Sequence, residues 1–189
     1  MVKKVIVLNG GPRVGGNTDM LIDAFVEGAV SVGHIVKQFD LRDMNIKHCK
    51  GCQRGGKNRN INYPCAQHDD MDKIYPQYID ADVVVFASPL YCWGWTAYLK
   101  NAFDRLYAVT EASSKNGTYN TPHKECVMLI AAEGDYPENF ALIVNYYESI
   151  LNYLKWTNKG KVLAGGVINI GDINDKPSLQ EAKKLATTL

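Results

Sequence analysis

The chain has 189 residues and a formal net charge of +1, with 46% hydrophobic and 22% charged residues. This composition is typical of a soluble globular protein, so we expect a single domain over residues 1–189. The near-neutral charge argues against a nucleic-acid partner and against a strongly acidic electron carrier. No apolar run approaches the roughly 20 residues that span a bilayer, so no membrane partner is expected. Five cysteines without a secretory signal suit a cytoplasmic protein.

An apolar run followed by a glycine-rich loop begins the chain. Residues 5–8, VIVL, suit a strand that is buried on both faces, as in a parallel sheet. The glycines of residues 9–18, NGGPRVGGNT, permit a tight turn and close approach to a ligand. Asn17 or Thr18 is expected to cap the next helix, whose free N–H groups attract an anion, most readily a phosphate. Arg13 adds a positive charge, although an ordinary strand-to-helix turn is the alternative.

The later elements alternate between helices and strands. Helices are predicted from apolar spacing over residues 21–32, 70–78, 95–106, 140–154 and 178–188. Further strands are predicted over residues 34–41, 82–87, 125–132 and 161–168, with a polar loop at 113–122. Such alternation predicts an α/β protein with helices on both faces of a parallel sheet. Five strands with a phosphate loop after the first fit the doubly wound order 2-1-3-4-5, whose ligand lies at the carboxyl ends of strands 1 and 3.

A long segment without periodicity, at about residues 42–68, interrupts this alternation and is read as an insertion. It carries Cys49, Cys52 and Cys65, which permit a zinc site with His68 or a redox-active pair. Reduced thiols in a loop are the favoured interpretation, so no metal site is predicted. The segment is also basic, which would attract a polyanion or simply reflect a solvated surface: Lys47, Lys50, Arg54, Lys57 and Arg59.

Two more loops are predicted to meet the first one at the carboxyl edge of the sheet. Residues 88–95, SPLYCWGW, follow the third strand and offer flat apolar surface to a ring system, with Gly94 permitting close backbone approach. The alternative is that these aromatic side chains pack in the core. Residues 133–135, Glu-Gly-Asp, follow the fourth strand and are typical of a plain turn. Taken together, the three loops predict one shared ligand.

These segments resemble the NADPH-dependent FMN reductase family. The resemblance rests on NGGPRVGGNT after strand 1, DLRDMNIKHCKGC after strand 2, SPLYCWGW after strand 3 and LKNAFDRL in the following helix. It covers residues 1 to about 135 and is greatest for the branch related to iron–sulfur flavoproteins. It implies a flavodoxin-like fold, FMN as the cofactor, and a homodimer or higher homo-oligomer in which a second copy completes the flavin pocket.

The resemblance also implies which residues bind the cofactor. The FMN phosphate would be lined by Gly11, Arg13, Asn17 and Thr18, with Gly16 allowing the turn. The isoalloxazine would lie along Pro89, Leu90, Tyr91, Cys92, Trp93 and Gly94. Its other side would be closed by Glu133, Gly134 and Asp135.

The chain departs from the family pattern at two places. Family members commonly have serine at the position of Gly11, so a backbone donor must replace that hydroxyl. The iron–sulfur branch has four closely spaced cysteines, whereas only three occur in this segment, so no cluster is expected.

The resemblance implies an enzyme in which NAD(P)H delivers hydride to bound FMN and a small acceptor then takes the same place. The acceptor would be a free flavin, a quinone or a similar aromatic molecule, selected by Trp93 and Trp95. Main-chain N–H groups around residues 91–94 would stabilise the reduced flavin. No catalytic acid or base is required, and none is predicted. The alternatives are a non-enzymatic flavodoxin-like carrier and a metal-binding flavoprotein that uses the three cysteines.

Overall fold

The computed structural model describes residues 1–52, 64–109 and 123–189, together with the backbone of two short strands between the last two ranges. Arg54, Lys57 and Arg59 of the basic segment lie outside the described residues. The elements are β1 (Lys4–Asn9), α1 (Asn17–Ser31), β2 (Ile35–Asp40), α2 (Met71–Asp80), β3 (Val83–Pro89), α3 (Ala97–Arg105), β4 (Glu111–Ser113), β5 (Thr118–Asn120), β6 (Glu125–Ala131), α4 (Pro137–Leu154), β7 (Thr157–Ala164) and α5 (Ser178–Ala186). Among the described helices, none has the length and apolar character needed to cross a membrane.

The five long strands form one parallel sheet in the order β2-β1-β3-β6-β7. Numbered by appearance, this is the predicted order 2-1-3-4-5, so the doubly wound, flavodoxin-like fold is confirmed. In β1, Val5 and Val7 pack into the hydrophobic cluster on one face, and Ile6 and Leu8 pack into the cluster on the other. Successive strand residues point to opposite faces, which is why a continuous apolar run is buried on both sides.

Helices cover both faces of the sheet. On one face α1 packs with α5, and Phe25 contributes to that core. On the other face lie α2, α3 and α4, which contribute Ile74 and Ile143 among others. A Cβ atom on Gly28 of α1 would lie 2.2 Å from the main-chain oxygen of Lys183 in α5. This position therefore requires glycine for the two helices to pack as they do.

Two predicted elements differ from the structure. Residues 113–122, predicted as a polar loop, overlap an antiparallel ribbon formed by β4 and β5. The last strand, β7, ends at Ala164 instead of continuing to Ile168. Gly166 follows with a φ of +68°, a backbone conformation that favours glycine and ends the strand. Val167 and Ile168 consequently lie in a loop at the carboxyl edge of the sheet.

A buried ion pair ties the cysteine-containing segment to α3. The Arg105 Nη1 atom lies 2.6 Å from Asp69 Oδ2, and both side chains are 1% exposed. Arg105 also donates to the main-chain oxygens of Lys47 and Gln67. Burial favours the neutral carboxyl, but hydrogen bonds from Arg105 and from the N–H groups of Lys47 and Met71 outweigh it and lower the pKa of Asp69. The charged pair therefore fixes both ends of the segment against the helix.

Candidate functional site

A cavity of about 220 Å³ lies at the carboxyl edge of the sheet, between the loops that follow β1, β3, β6 and β7. Most of the predicted cofactor-binding residues line it: Gly11, Arg13, Gly16, Asn17, Thr18, Pro89, Leu90, Tyr91 and Glu133. The others belong to the same loops but do not line the cavity: Cys92, Trp93, Gly94, Gly134 and Asp135. The structure therefore brings together the three loops that the sequence predicted to share one ligand.

Five residues outside the predicted cofactor-binding set also line this cavity. They are Pro12, Ala131, Ala132, Val167 and Ile168. The last two were assigned to the fifth strand, so the loop after β7 was not considered part of the site. The glycine pair just before them is the one sequence signal that could have identified a loop there.

The N-terminus of α1 opens into the cavity without a side-chain cap. Gly16 is the N-cap residue, so the prediction that Asn17 or Thr18 caps this helix is wrong. Both residues lie inside the helix, in its first turn, where main-chain N–H groups have no intrahelical acceptor. Among the described residues, neither N–H group donates elsewhere, and the Thr18 hydroxyl makes no hydrogen bond. These donors lie at the positive end of the helix dipole, an arrangement that is suited to an anion.

A buried polar network fixes the backbone of the first loop. Asn9 Oδ1 accepts a 2.8 Å hydrogen bond from the Gly11 N–H, and Asn9 Nδ2 donates to Asp19 Oδ1 at 2.7 Å. Arg42 Nη1 donates at 2.9 Å both to Asp19 and to the Gly11 carbonyl. The hydrogen bond to Asp19 raises the pKa of Arg42, which stays charged and neutralises the carboxylate. The buried Asp19 therefore does not oppose an anion at the helix terminus.

The network also explains the glycine that stands in place of the family's serine. A Cβ atom on Gly11 would lie 3.0 Å from Asn9 Oδ1 and 3.3 Å from the Cβ of Thr18. A larger side chain would therefore displace one of these neighbours. The Gly11 N–H is already paired with Asn9, so the main-chain donors left unpaired at this helix terminus are those of Asn17 and Thr18.

Two side chains of the first loop also contact the loop after β7. Arg13 Nη1 donates to the Ile168 carbonyl at 2.7 Å. Asn17 Nδ2 donates to the Asn169 carbonyl at 2.8 Å, and Asn17 Oδ1 accepts from the Gly171 N–H at 3.1 Å. Both polar atoms of the Asn17 side chain are thus engaged, whereas the exposed Arg13 guanidinium keeps further N–H groups available.

The loop after β3 forms a tight turn that carries strain. Tyr91 and Gly94 exchange two main-chain hydrogen bonds of 3.0 Å. The two residues between them are in the left-handed region, Cys92 at φ 48° and Trp93 at φ 59°, as a type I′ turn requires. Neither is a glycine, so each carries a backbone cost. The N–H groups of Cys92 and Trp93 remain available, while those of Tyr91 and Gly94 are used within the turn.

The aromatic residues of this loop divide between surface and core. Tyr91, which lines the cavity, is 49% exposed, and Trp93 in the same loop is 54% exposed. Trp95 is buried, stacked on Phe86 with ring centroids 5.2 Å apart and edge-on to Phe103 at 5.3 Å. The prediction that Trp95 helps to select the acceptor is therefore wrong, because its indole belongs to the core.

The turn after β6 packs against the glycines that follow β7. The Gly166 N–H donates to the Glu133 carbonyl at 3.1 Å. A Cβ atom on Gly165 would lie 2.4 Å from the Asp135 carboxylate, which itself lies 3.7 Å from Lys176 Nζ. Within residues 133–135, only the first residue lines the cavity.

The three cysteines of the long segment line a different, mainly apolar cavity of about 620 Å³ beside α2, α3 and α4. It shares no lining residue with the smaller cavity. The described residues contain no group of three or more His, Cys, Asp or Glu side chains arranged to hold a metal. Cys49, Cys52, Cys65 and His68 are all described, so the structure does not support the zinc alternative.

A doubly wound parallel sheet of this strand order, with a glycine-rich loop and an uncapped helix N-terminus after its first strand, is typical of a flavodoxin-like protein. Residues 3–162 match the model of the NADPH-dependent FMN reductase family, and the chain belongs to this family. Membership confirms the predicted class, an NAD(P)H-dependent oxidoreductase with FMN as cofactor and NAD(P)H as co-substrate.

Three known proteins illustrate the relationship. A Bacillus subtilis protein, provisionally named an NAD(P)H-dependent FMN-containing oxidoreductase, is 27% identical over 185 residues, which is 96% of each chain. An iron–sulfur flavoprotein of Archaeoglobus fulgidus is 27% identical over 189 residues, covering 97% of this chain and 79% of its own. The solved structure of an NAD(P)H:quinone oxidoreductase from Methanothermobacter marburgensis superimposes with a TM-score of 0.75 at 18% identity, covering 100% and 97% of the two chains. This last similarity concerns the fold.

Replacing Trp93 tests the strain in the turn after β3. The free energy of unfolding of Trp93→Gly is expected to be about 1 kcal/mol higher than that of Trp93→Ala, because only glycine adopts the left-handed conformation without a steric cost. The alanine variant is the matched control, since both changes remove the same indole. Denaturant unfolding measures the difference. Equal stability of the two variants would contradict the assignment of strain to this position.

Proposed function

We propose that the protein transfers electrons from NAD(P)H to a small flat acceptor, such as a free flavin or a quinone, through FMN bound in the 220 Å³ cavity. One observation carries this proposal. The free N–H groups of Asn17 and Thr18 open into the same cavity that Pro89, Leu90 and Tyr91 line. An anion site next to a largely apolar surface matches a ligand with a phosphate at one end and an aromatic ring at the other.

The donor set at the helix terminus fits the FMN phosphate. Asn17 and Thr18 offer main-chain N–H groups, Thr18 offers its hydroxyl, and Arg13 offers the guanidinium N–H groups that Ile168 leaves free. Arg42 pairs with Asp19, and Arg13 is the charged side chain of this loop that lines the cavity, which favours an anion. We therefore propose that a phosphate is held by main-chain and Arg13 donors, with Gly11 and Gly16 shaping the backbone around it.

The loops after β3 and β6 fit the ring system. When bound, FMN supplies the chemistry by accepting a hydride equivalent and passing electrons on. The Cys92 and Trp93 N–H groups make no hydrogen bond among the described residues and are available to an electron-rich ring edge. We propose that the half-exposed Trp93 indole covers the rim of the cavity. We propose that Gly94 and the turn at residues 133–135 complete this rim.

The side chains around the cavity suit a reaction that needs no acid or base from the protein. Among its lining residues, Glu133 is the one carboxylate, and no histidine, lysine or cysteine contributes. Glu133 can accept a hydrogen bond from a ring N–H. We propose that the chain positions the two substrates in turn and excludes water, while proton transfer is left to solvent.

We further propose that the protein acts in the reducing cytoplasm. All five cysteines, which are all described, are free thiols in the structure. Free thiols of which three are exposed suit a compartment that keeps them reduced. The near-neutral charge supports the expectation that nucleic acid is not a partner.

A homodimer would complete the site. The cavity of about 220 Å³ is smaller than the roughly 300–1,000 Å³ of typical ligand sites. Its surroundings expose large apolar side chains, with Val14 at 76%, Ile170 at 58% and Trp93 at 54%. We propose that a second copy of the chain covers them and encloses the flavin ring.

Sedimentation velocity of the FMN-loaded protein tests the dimer. The expected mass is twice that of the chain, and Ile170→Asp is expected to shift the equilibrium to monomer by burying a charge at the interface. The matched control is Val30→Asp, which places the same charge on an apolar position in the last turn of α1. A monomeric unmodified protein at micromolar concentration would contradict the proposal.

Removing the Arg13 side chain tests the phosphate site. Arg13→Ala is expected to weaken FMN binding by about 1.5–3 kcal/mol, or roughly 10- to 150-fold, because charge-assisted hydrogen bonds to the phosphate are lost. Riboflavin, which lacks the phosphate, is the matched control ligand and should lose several-fold less affinity. Flavin fluorescence titration measures both. An equal loss for the two ligands would contradict the assignment.

Anaerobic mixing with NADPH tests the oxidoreductase function. The bound-flavin absorbance should disappear at a rate at least equal to steady-state turnover and return when a quinone or free flavin is added. Free FMN at the same concentration is the control for the uncatalysed reaction. If NADPH reduces the flavin much more slowly than in a competent reductase, and only a separate partner enzyme makes the reduction fast, the protein is instead an electron carrier.

A further inference from the structure

We propose that the loop after β7, residues 165–172, is a further wall of the FMN site, and that the Asn17 side chain is a positioning residue that holds this wall closed. The inference rests on the proposed function only in taking FMN as the occupant. The family match ends at residue 162, so it assigns no role to this loop.

The loop contributes directly to the cavity. Val167 and Ile168 both line it, together with the residues that follow β1, β3 and β6. Val167 is 6% exposed and anchors the loop in the core, whereas Ile168 is 50% exposed and offers an apolar side chain at the surface of the cavity. The loop therefore supplies a hydrophobic wall on the side of the phosphate loop.

Hydrogen bonds between segments about 150 residues apart close the loop onto the helix terminus. Asn17 uses both ends of its amide, donating to the Asn169 carbonyl and accepting from the Gly171 N–H. Arg13 adds a third bond, to the Ile168 carbonyl. One short side chain thus bridges two main-chain groups of the loop. This geometry fixes the loop's orientation as well as its distance from the N-terminus of α1. We call these three bonds the clasp.

The loop is also held in shape from within. The Asp172 carboxylate accepts hydrogen bonds from the N–H groups of Ile168 and Asn169, at 2.9 and 2.8 Å. These bonds lower the pKa of Asp172, so the carboxylate is charged at neutral pH. Gly166 and Gly171 have φ values of +68° and +95°, which permit the two bends on either side.

The hydrogen bonds of Ile168 and Asn169 determine which groups of the loop remain for a ligand. The N–H groups of Ile168 and Asn169 point to Asp172, and their carbonyls accept from Arg13 and Asn17. At these two residues the main chain is therefore already satisfied, and Ile168 offers its side chain to the cavity. The bond to Ile168 also orients Arg13, whose other N–H groups stay available for the phosphate. Closure of the clasp and binding of FMN should consequently stabilise each other.

A double-mutant cycle tests whether Asn17 and Asp172 act through this one loop. Asn17→Ala and Asp172→Ala are each expected to weaken FMN binding by roughly 5- to 30-fold, the effect of losing one or two hydrogen bonds that organise the site. The double variant should bind FMN at most about twofold less tightly than the single variant with the lower affinity. A loop that one substitution has already released loses little more when the second is added. Asn158→Ala is the matched control, since this exposed side chain accepts from the Gly160 N–H at the opposite end of β7.

Hydrogen exchange of the loop amides gives a readout that does not depend on activity. In the unmodified protein, FMN should slow exchange over residues 166–172, and Asn17→Ala should accelerate it in the absence of ligand while Asn158→Ala does not. A double variant whose loss equals the product of the two single losses would overturn the proposal, because Asn17 would then act independently of the loop. So would unchanged FMN affinity in Asp172→Ala, or loop exchange that is insensitive to FMN. Absence of FMN binding by the unmodified chain would contradict the proposed function instead, and exchange in ligand-free Asn17→Ala would still test the clasp.

Discussion

The buried network of Asn9, Asp19 and Arg42 is the constraint on which the candidate site depends. It pairs the Gly11 N–H and carbonyl, so the first loop cannot turn those groups toward a ligand. It also balances the Asp19 charge beside the N-terminus of α1. The free N–H groups at that terminus therefore lie beside an Asp19 carboxylate that is paired with Arg42. A glycine at position 11 follows from the same network, because a Cβ atom would press against the Asn9 side chain.

The doubly wound sheet explains why loops distant in sequence form one cavity. Every long strand is parallel, so the segments after β1, β3, β6 and β7 all leave from the same edge. Each loop contributes a different chemistry: free N–H groups and Arg13, a strained aromatic turn, a carboxylate, and an apolar wall. We propose that this combination binds a ligand with an anionic group at one end and a flat ring at the other. The cysteine-containing segment is fixed elsewhere, by Arg105 and Asp69, and borders a separate cavity.

Features set by local sequence could be predicted, and features set by long-range contacts could not. The apolar run at residues 5–8 and the glycines after it were sufficient to place β1 and its loop. The cap of α1 was missed because Asn17 contacts a loop about 150 residues away. Trp95 was misjudged because its position in the core depends on Phe86 and other partners from distant segments. The wall at Val167 and Ile168 was missed because β-branched residues favour a strand. In the structure β7 ends before the two glycines that precede them.

We propose that FMN lies at the carboxyl edge of the sheet with its phosphate on the N-terminus of α1. A crystal structure of the FMN complex would locate the phosphate. Its oxygens are expected within hydrogen-bond distance of the Asn17 and Thr18 N–H groups and of the Arg13 guanidinium, with the ring along residues 89–93. A phosphate bound anywhere else, such as in the cavity lined by Cys49 and Cys52, would contradict it.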